Sequence, residues 1–330
     1  MTPSGRRIAV IEAMRGIASI AVACFHLSLP FSSALPATLK AYGWLGVDVF
    51  FVISGFVIPL SLYGRSYEVR NFPNFLLRRL VRLEPPYIAS LLLTIALWHL
   101  SALAPGFGGK EPDYTLAQLG FHLFYLIPLT SHGWLGANYW SLAYEFVFYI
   151  VVGLAFPFLI ARRVEFTAAA IAAAAAAFYY LYQGPVLDGI FLSRIVEFGV
   201  GILLMRLVVD GDGRRAVANW FWLAACLLAV FYLGGFVIGL VVFLSACAIF
   251  LLKDLELGRW AYFIGGFSYS LYLTHTIIGA RIAHLGARFA EGAFQEIAVV
   301  AVALAGTVAF AIAFEYAIET PAKQAARRFA

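Results

Sequence analysis

The feature that most constrains this chain is a series of long apolar segments, the first of which covers residues 8–29. An apolar helix of about 20 residues matches the hydrocarbon thickness of a bilayer. Only 12% of the 330 residues are charged, whereas soluble domains carry roughly 25%. We therefore predict an all-α polytopic membrane protein with about ten transmembrane helices in a single domain. The predicted segments are 8–29, 43–63, 84–104, 139–161, 166–182, 189–208, 217–233, 236–252, 262–283 and 294–318.

The basic residues indicate how these segments are oriented. With a cytoplasmic N-terminus, 17 of the 23 Lys and Arg residues lie on the inner side, Arg6, Arg7 and Arg162 among them, and four lie outside. An excess of Lys and Arg is typical of cytoplasmic loops. Both termini are thus predicted to be cytoplasmic, and the net charge of +5 needs no nucleic-acid partner.

Ionisable residues inside the first segment are its most informative feature. Arg15 and His26 are eleven residues apart, so on a helix they share a face and lie about 16 Å apart along the axis. Ionisable groups within a bilayer often line functional cavities. The alternative is that Arg15 extends to the near headgroups while His26 lies at the far interface.

Other segments carry ionisable residues at a similar distance from their predicted outer ends. Because buried charges are tolerated when they pair, a shared depth favours one cavity. Consecutive segments are usually neighbours, so we expect Asp48 to orient His26 as a general base. The three cysteines lie in apolar segments and predict neither a disulfide nor a metal site. The residues at this depth are His26, Asp48, Glu145, Arg194, Glu197 and His275.

Two loops have more than one interpretation. Residues 74–84 predict a short amphipathic helix on which Arg78 and Arg82 share a face, before Pro85 and Pro86 open the third segment. This helix could lie on anionic lipid or bind a phosphate-rich cytoplasmic ligand. The outer connection 105–139 contains the apolar stretch 116–129, too short to span and so re-entrant or interfacial. A polar and aromatic cluster follows, either an interfacial belt or a surface for a sugar-like acceptor: His132, Trp134, Asn138 and Trp140.

Six motifs in order resemble the acyltransferase-3 family of integral membrane acyltransferases, which includes O-acetylases of bacterial surface polysaccharides. The chain has Tyr144 where that family often has a second acid before Glu145, and Thr274 where it often has Trp before His275. The matching stretches are Arg15-x10-His26, GVDVFFVISGF at 46–56, RRLVRLEPPY at 78–87, YWSLAYEFVFY at 139–149, FSYSLYLTH at 267–275 and EYAIETPAK at 315–323.

The resemblance implies transfer of an acyl group, commonly acetyl, from cytoplasmic acyl-CoA to a hydroxyl of a glycan or glycan-like acceptor. It implies a location in the bacterial inner membrane and no metal. We expect no appended periplasmic hydrolase-like domain, so that a second transfer step would need a separate partner or a homo-oligomer. From the residues and the resemblance together, we assign catalytic roles to His26, Asp48 and Glu145, donor-binding roles to Arg15, Arg78 and Arg82, and substrate-binding roles to Trp140, Tyr149, Arg194 and His275.

Two other classes of function remain compatible with the residues alone. A transporter or flippase of an anionic or lipid-linked substrate would use the charged cluster for coupling, although no inverted repeat is evident. A scaffold that presents acyl groups to a separate transferase is the third hypothesis. The acceptor and the length of the acyl chain are open.

Overall fold

The computed structural model describes residues 8–104, 109–160, 163–181, 189–210 and 214–329. Arg6, Arg7 and Arg162, which contribute to the predicted orientation, lie outside these ranges. Within them the chain is helical and contains no strand. The all-α prediction is confirmed for the described residues.

Apolar runs with few breaks produce the helices, which are long because a helix satisfies its own backbone hydrogen bonds in an apolar medium. Two five-residue π-helical segments, His275–Gly279 and Glu315–Glu319, interrupt the last two apolar stretches. The α-helices are α1 (Ala9–Leu27), α2 (Ala34–Tyr42), α3 (Gly46–Tyr63), α4 (Phe72–Ala102), α5 (Leu116–Leu123), α6 (Trp140–Leu159), α7 (Val164–Leu181), α8 (Gly189–Asp210), α9 (Arg214–Leu252), α10 (Gly258–Gly266), α11 (Ser268–Thr274), α12 (Ala280–Ala287), α13 (Ala293–Phe314) and α14 (Thr320–Ala326).

Six helical stretches of the described chain are long and apolar enough to cross a membrane. This result confirms a helical, multi-span membrane protein, whereas the number ten and the orientation of the termini stay predictions. The six stretches are Ala9–Leu27, Ala34–Tyr63, Val69–Ala102, Trp140–Leu159, Ala216–Leu252 and Ala293–Phe329.

Helix α9 shows why the number of long helical stretches can be smaller than the number of predicted transmembrane segments. Its 39 residues would extend about 58 Å if unbroken, well beyond the roughly 30 Å of a bilayer core. Gly235 breaks it with φ +82° and ψ 176°, a conformation that glycine adopts without steric cost. The break lies between the predicted segments 217–233 and 236–252.

Helix α4 corrects one prediction. Residues 74–84 do not form a separate amphipathic helix, because a single helix continues from Phe72 to Ala102 with Pro85 and Pro86 inside it. Proline is tolerated within membrane helices when neighbouring groups satisfy the carbonyls it frees. Arg78 and Arg82 therefore lie on the same rigid element as the apolar stretch that follows them.

The helices form two compact units. Of the described chain, the first unit comprises residues 8–18, 45–73 and 148–265, and the second comprises 19–44, 74–147 and 266–329. Helices α1 and α6 each contribute residues to both units.

Two glycines allow α3 and α8 to pack closely in the first unit. A Cβ added to Gly55 would lie 2.2 Å from a backbone oxygen of α8, and one added to Gly201 would lie 2.3 Å from a backbone oxygen of α3. Seven residues before these glycines, Asp48 on α3 contacts Arg194 on α8. Because the paired positions advance together on both helices, α3 and α8 run in the same direction.

A buried arginine joins the last residue of α6 to the first turn of α7 in the same unit. Arg206 donates from Nη1 to the carbonyl of Leu159, at 2.8 Å, and to Oγ1 of Thr167, at 2.9 Å. The Thr167 hydroxyl also donates to that carbonyl, at 3.0 Å. These bonds satisfy a carbonyl at the C-terminal end of α6, where no helical donor remains.

In the second unit, His122 on α5 organises the outer connection. The backbone N–H of Leu135 donates to His122 Nε2 at 3.2 Å. Since that nitrogen accepts, Nδ1 carries the proton and donates to the Tyr87 hydroxyl at 3.0 Å. Burial lowers the pKa of His122 to about 4, which keeps the ring neutral at physiological pH.

The close approach of α3 and α8 predicts that Gly55→Ala destabilises the protein. The new methyl group would meet backbone, which cannot move aside as a flexible side chain can. We expect a loss of about 1–3 kcal/mol, measured as a lower thermal midpoint in detergent. Gly120→Ala in α5 is the control, because a Cβ there meets nothing within 4 Å. Equal midpoints for the two variants would contradict this packing.

The neutral His122 predicts an acid-sensitive outer connection. Its folded pKa, about 4, lies below the usual value near 6.5, so the unfolded chain binds the proton more readily. The stability that His122 contributes is complete above pH 6.5 and falls as the pH drops from 6.5 towards 4. Thermal midpoints of wild type and His122→Gln, whose amide oxygen can accept the Leu135 N–H but does not titrate, should converge over that range. Parallel curves would refute the assignment.

Candidate active site

Two imidazoles meet in the second unit. His26 lies in the last turn of α1, and His275 is the first residue of the π-helical segment that follows α11. His26 Nδ1 lies 3.0 Å from His275 Nε2, and the ring centroids are 4.8 Å apart. His275 is fully buried, whereas His26 remains partly exposed. The pair thus has one buried member and one partly exposed member.

Backbone carbonyls assign the tautomers of this pair. His275 Nδ1 lies 3.1 Å from the carbonyl of Leu271, and His26 Nδ1 lies 3.1 Å from that of Val22. Carbonyl oxygens only accept, so each Nδ1 carries a proton. His275 Nε2 is then the acceptor for His26 Nδ1–H. The assignment leaves His26 Nε2 with its lone pair free.

Both rings are neutral in this arrangement. Neither ring contacts a carboxylate within the described chain. A fully buried imidazolium without a counter-ion would be costly. His275 therefore acts as an uncharged acceptor that orients His26.

A glycine brings the supporting helices close to the pair. A Cβ on Gly279, in the same π-helical segment as His275, would lie 2.3 Å from the Thr307 hydroxyl on α13 and 2.5 Å from a methyl group of Leu27. Leu27 directly follows His26 and is fully buried. Close packing at Gly279 thus fixes the end of α1 against the segment that carries His275.

The predicted pairing of His26 with Asp48 is wrong. Asp48 is fully buried in the first unit and forms an ion pair with Arg194. The ring of His26 has His275 as its partner. The prediction assumed that consecutive segments are adjacent in space. The sequence alone could not show which face of each helix packs against which other helix.

Asp48 and Arg194 belong to a buried ionic cluster. Arg194 Nη1 lies 3.6 Å from Glu197 Oε1, and the Ser193 hydroxyl donates to that oxygen at 3.1 Å. The Arg194 guanidinium also lies 5.9 Å from the ring centroid of Phe51. The structure thus brings together two of the predicted site residues, Asp48 and Arg194, as a buried ion pair.

The predicted donor-binding arginines are half-buried. Arg15 lies on α1, and Arg78 and Arg82 lie one turn apart on α4. Arg78 donates from Nη2 to the carbonyl of Phe329 at 2.7 Å. Its Nε is buried without a hydrogen-bond acceptor in the described chain. An anionic ligand oxygen would satisfy that donor.

The three predicted residues of α6 differ in exposure. Trp140 packs edge-on against Tyr144, with ring centroids 5.8 Å apart. Glu145 is half-buried in the second unit, and Tyr149 is buried in the first. Their catalytic and substrate-binding roles stay predictions.

Asn138 is a residue whose place the sequence did not reveal. It was expected in an outer cluster that forms either an interfacial belt or an acceptor surface, but it is buried and bonded to the helix before His275. The available signal was an amide shortly before an apolar helix, with Ser141 three residues later.

Within the described chain, no three His, Cys, Asp or Glu residues are placed to hold a metal ion.

The ionic cluster predicts that Asp48→Asn destabilises the fold. Removing one charge of a buried pair leaves the other uncompensated and costs about 3–5 kcal/mol. We expect a large fall in the thermal midpoint in detergent. Asp254→Asn is the control, since its ion pair with Lys253 is exposed and contributes about 0–1 kcal/mol. Normal stability of Asp48→Asn together with lost acyl transfer would show a chemical role instead.

The chain resembles three proteins with curated names. It is 29% identical over 295 residues to BcsY of Komagataeibacter xylinus, provisionally named a membrane-bound transacylase, covering 80% of this chain and 71% of BcsY. It is 30% identical over 173 residues to the O-acetyltransferase OatA of Staphylococcus aureus, covering 48% of this chain and 26% of OatA. It is 28% identical to YrhL of Bacillus subtilis, provisionally named a peptidoglycan O-acetyltransferase, covering 46% of this chain and 24% of YrhL.

The chain thus matches about seven tenths of BcsY and about a quarter of OatA and of YrhL. No solved structure matches it. A family model described as an acyltransferase domain matches residues 8–316, nearly the whole chain. The chain therefore belongs to the acyltransferase-3 family of membrane acyltransferases.

Proposed function

We propose that this protein transfers an acyl group, acetyl in the first instance, from acyl-CoA to a hydroxyl of a glycan or glycan-like acceptor, with His26 as the general base. The observation that carries the proposal is the imidazole pair. His26 Nε2 has a free lone pair, and its ring is fixed through Nδ1. A positioned imidazole of this kind is the usual base for activating a hydroxyl.

The proton and electron balance of the reaction is simple. His26 Nε2 takes the proton of the acceptor hydroxyl as its oxygen attacks the acyl carbon. A C–O bond forms and the C–S bond of the thioester breaks. The CoA thiolate leaves and takes the proton from His26 Nε2, which returns the imidazole to its neutral form. While His26 is cationic, the lone pair of His275 Nε2 accepts its Nδ1–H and stabilises the charge.

The arginines of α1 and α4 would hold the donor. Guanidinium groups bind phosphate through paired N–H donors, and Arg78 Nε is a buried donor that lacks a protein acceptor. Arg82 lies one turn further along the same face, and Arg15 lies on the helix that carries His26. In this proposal Arg78 and Arg82 bind the phosphates of CoA, and a donor-binding role for Arg15 rests on the family resemblance alone.

The proposed topology has ten spans with both termini in the cytoplasm of a bacterial inner membrane. The parallel course of α3 and α8 supports it, because an odd number of crossings must separate two parallel spans. Helices α4 and α6 supply two of them. Helix α7 then supplies the third, although it is less clearly a span by length and composition alone.

The acceptor class is proposed from the relatives. OatA is named an O-acetyltransferase, and the provisional name of YrhL specifies peptidoglycan. Both names are consistent with a hydroxyl of a cell-surface glycan as acceptor. Membrane lipid surrounds the protein, and a periplasmic partner or a second copy would complete any further transfer step.

Acetyl transfer in proteoliposomes tests the proposal. Purified protein is supplied with radiolabelled acetyl-CoA and a panel of glycan acceptors, and labelled acceptor is measured. His26→Ala should lower transfer by about 10²–10⁴-fold, the usual contribution of a general base, while the protein still folds. His284→Ala is the matched control, since His284 is an exposed histidine on α12 and should retain wild-type transfer.

The other outcomes separate the rival functions. Full transfer by His26→Ala would overturn the role of this residue. Label retained on His26 without acceptor would assign it as a nucleophile instead of a base. Movement of an anionic or lipid-linked substrate across the bilayer without any acyl donor would favour a transporter and contradict an acyltransferase mechanism.

A further inference from the structure

Asn138 connects the segment before α6 to the residues on both sides of His275. Its Nδ2 donates to the carbonyl of Tyr272 at 2.7 Å, and its Oδ1 accepts from the Thr276 hydroxyl at 3.3 Å. Tyr272 lies three residues before His275 and Thr276 directly follows it. One amide thus contacts the chain on either side of this imidazole.

The contact is reciprocal and buried. The Tyr272 hydroxyl donates to the backbone carbonyl of Asn138 at 2.9 Å. It also lies 2.5 Å from the Ser141 hydroxyl, whose single proton goes either to the Tyr272 oxygen or to the same carbonyl, at 3.3 Å. Asn138 is only 1% exposed. An amide bonded through both its nitrogen and its oxygen at such a buried site constrains the backbone around it, because breaking either bond leaves a buried polar group unpaired.

The backbone constrained in this way is unusual. His275 begins a π-helical segment, a rare geometry that occurs frequently at functional sites. If the segment relaxed to an α-helix, residues on its two sides would rotate relative to each other and the His275 ring would move. Asn138 contacts the last turn of α11 and the first turn of the π-helical segment. These are the two turns whose relative rotation would change if the segment became α-helical.

We propose that Asn138 is a positioning residue that holds His275, and through it the His26 base, in reactive geometry. The inference rests on the proposed function, because it assumes that His26 acts in acyl transfer. Asn138 itself would contact neither donor nor acceptor. Its effect would reach the reaction through the backbone at Tyr272 and Thr276.

The amide can be tested by exchange for an isosteric acid. In Asn138→Asp, an ionised carboxylate cannot donate to the Tyr272 carbonyl and would repel it, whereas the protonated acid can donate. The titratable groups on the segments around this position include the phenol of Tyr272, the imidazole of His275 and the phenol of Tyr139, whose hydroxyl lies near Ser90 and Thr94. The Arg281 guanidinium donates to the carbonyl of Ile277 at 2.5 Å and to the Ser101 hydroxyl at 3.4 Å. The phenols and the imidazole are uncharged and Arg281 is bonded elsewhere, so none of them is a hydrogen-bonded counter-charge for the new acid.

The expected result is a loss of kcat that depends on pH. At pH 8 we expect Asn138→Asp to lower kcat on the order of 10–100-fold, with KM for acetyl-CoA unchanged. The ratio of variant to wild-type kcat should rise as the pH is lowered towards 5.5. Thr276→Val, at a half-buried position that tolerates the change, should lower kcat by less and without that pH dependence.

Gln118→Glu is the matched control. Gln118 is also a buried amide of the outer connection and donates to the carbonyl of Gly133 at 2.8 Å, but it does not contact α11 or the π-helical segment. It should alter the thermal midpoint without changing the kcat of folded protein or its pH profile. If Asn138→Asp behaves as this control does while His26→Ala is inactive, the positioning role is refuted and the proposed function stands. If His26→Ala is active, the proposed function itself fails.

Discussion

The cost of leaving a polar group unpaired in an apolar environment determines how this chain is arranged. Backbone groups meet that demand by forming helices. Buried charged side chains avoid this cost by forming ion pairs, as Asp48 and Arg194 do. A second example joins the ends of the last two apolar stretches, where Ser270 donates to Glu319 at 2.5 Å and Lys323 lies 2.8 Å from the same carboxylate. Such pairs specify which helices meet, because a shift in register would leave charges without partners.

Local features of the fold were predictable from the sequence, and tertiary pairing was not. The apolar segments predicted where helices occur, and the gap between segments 217–233 and 236–252 predicted the break in α9, where Gly235 adopts a positive φ. The same segments could not predict that α3 turns Asp48 towards Arg194. That choice depends on the approach of Gly55 and Gly201, two positions 146 residues apart, which helical periodicity does not relate.

The candidate site shows the same division. His26 and His275 were singled out because ionisable groups in apolar segments are rare and costly. Their mutual contact was not predicted, since His26 was expected to pair with a carboxylate. Asn138 was missed for a different reason: an uncharged amide at the edge of an apolar segment also suits an interfacial position. Its burial follows from the way residues 136–139 fold back onto α11, which no local pattern encodes.

The neutral character of the imidazole pair has a consequence for how such a site can coexist with an apolar surrounding. A histidine oriented by a carboxylate carries a permanent negative charge into the site, and that charge must be balanced or hydrated. A histidine oriented by a second neutral ring carries none, so the resting site needs no counter-ion. It also does not repel a polyanionic donor or a departing thiolate. Charge would then exist at the pair only during the reaction itself. The resting protein would not carry the free-energy cost of a buried charge at this position.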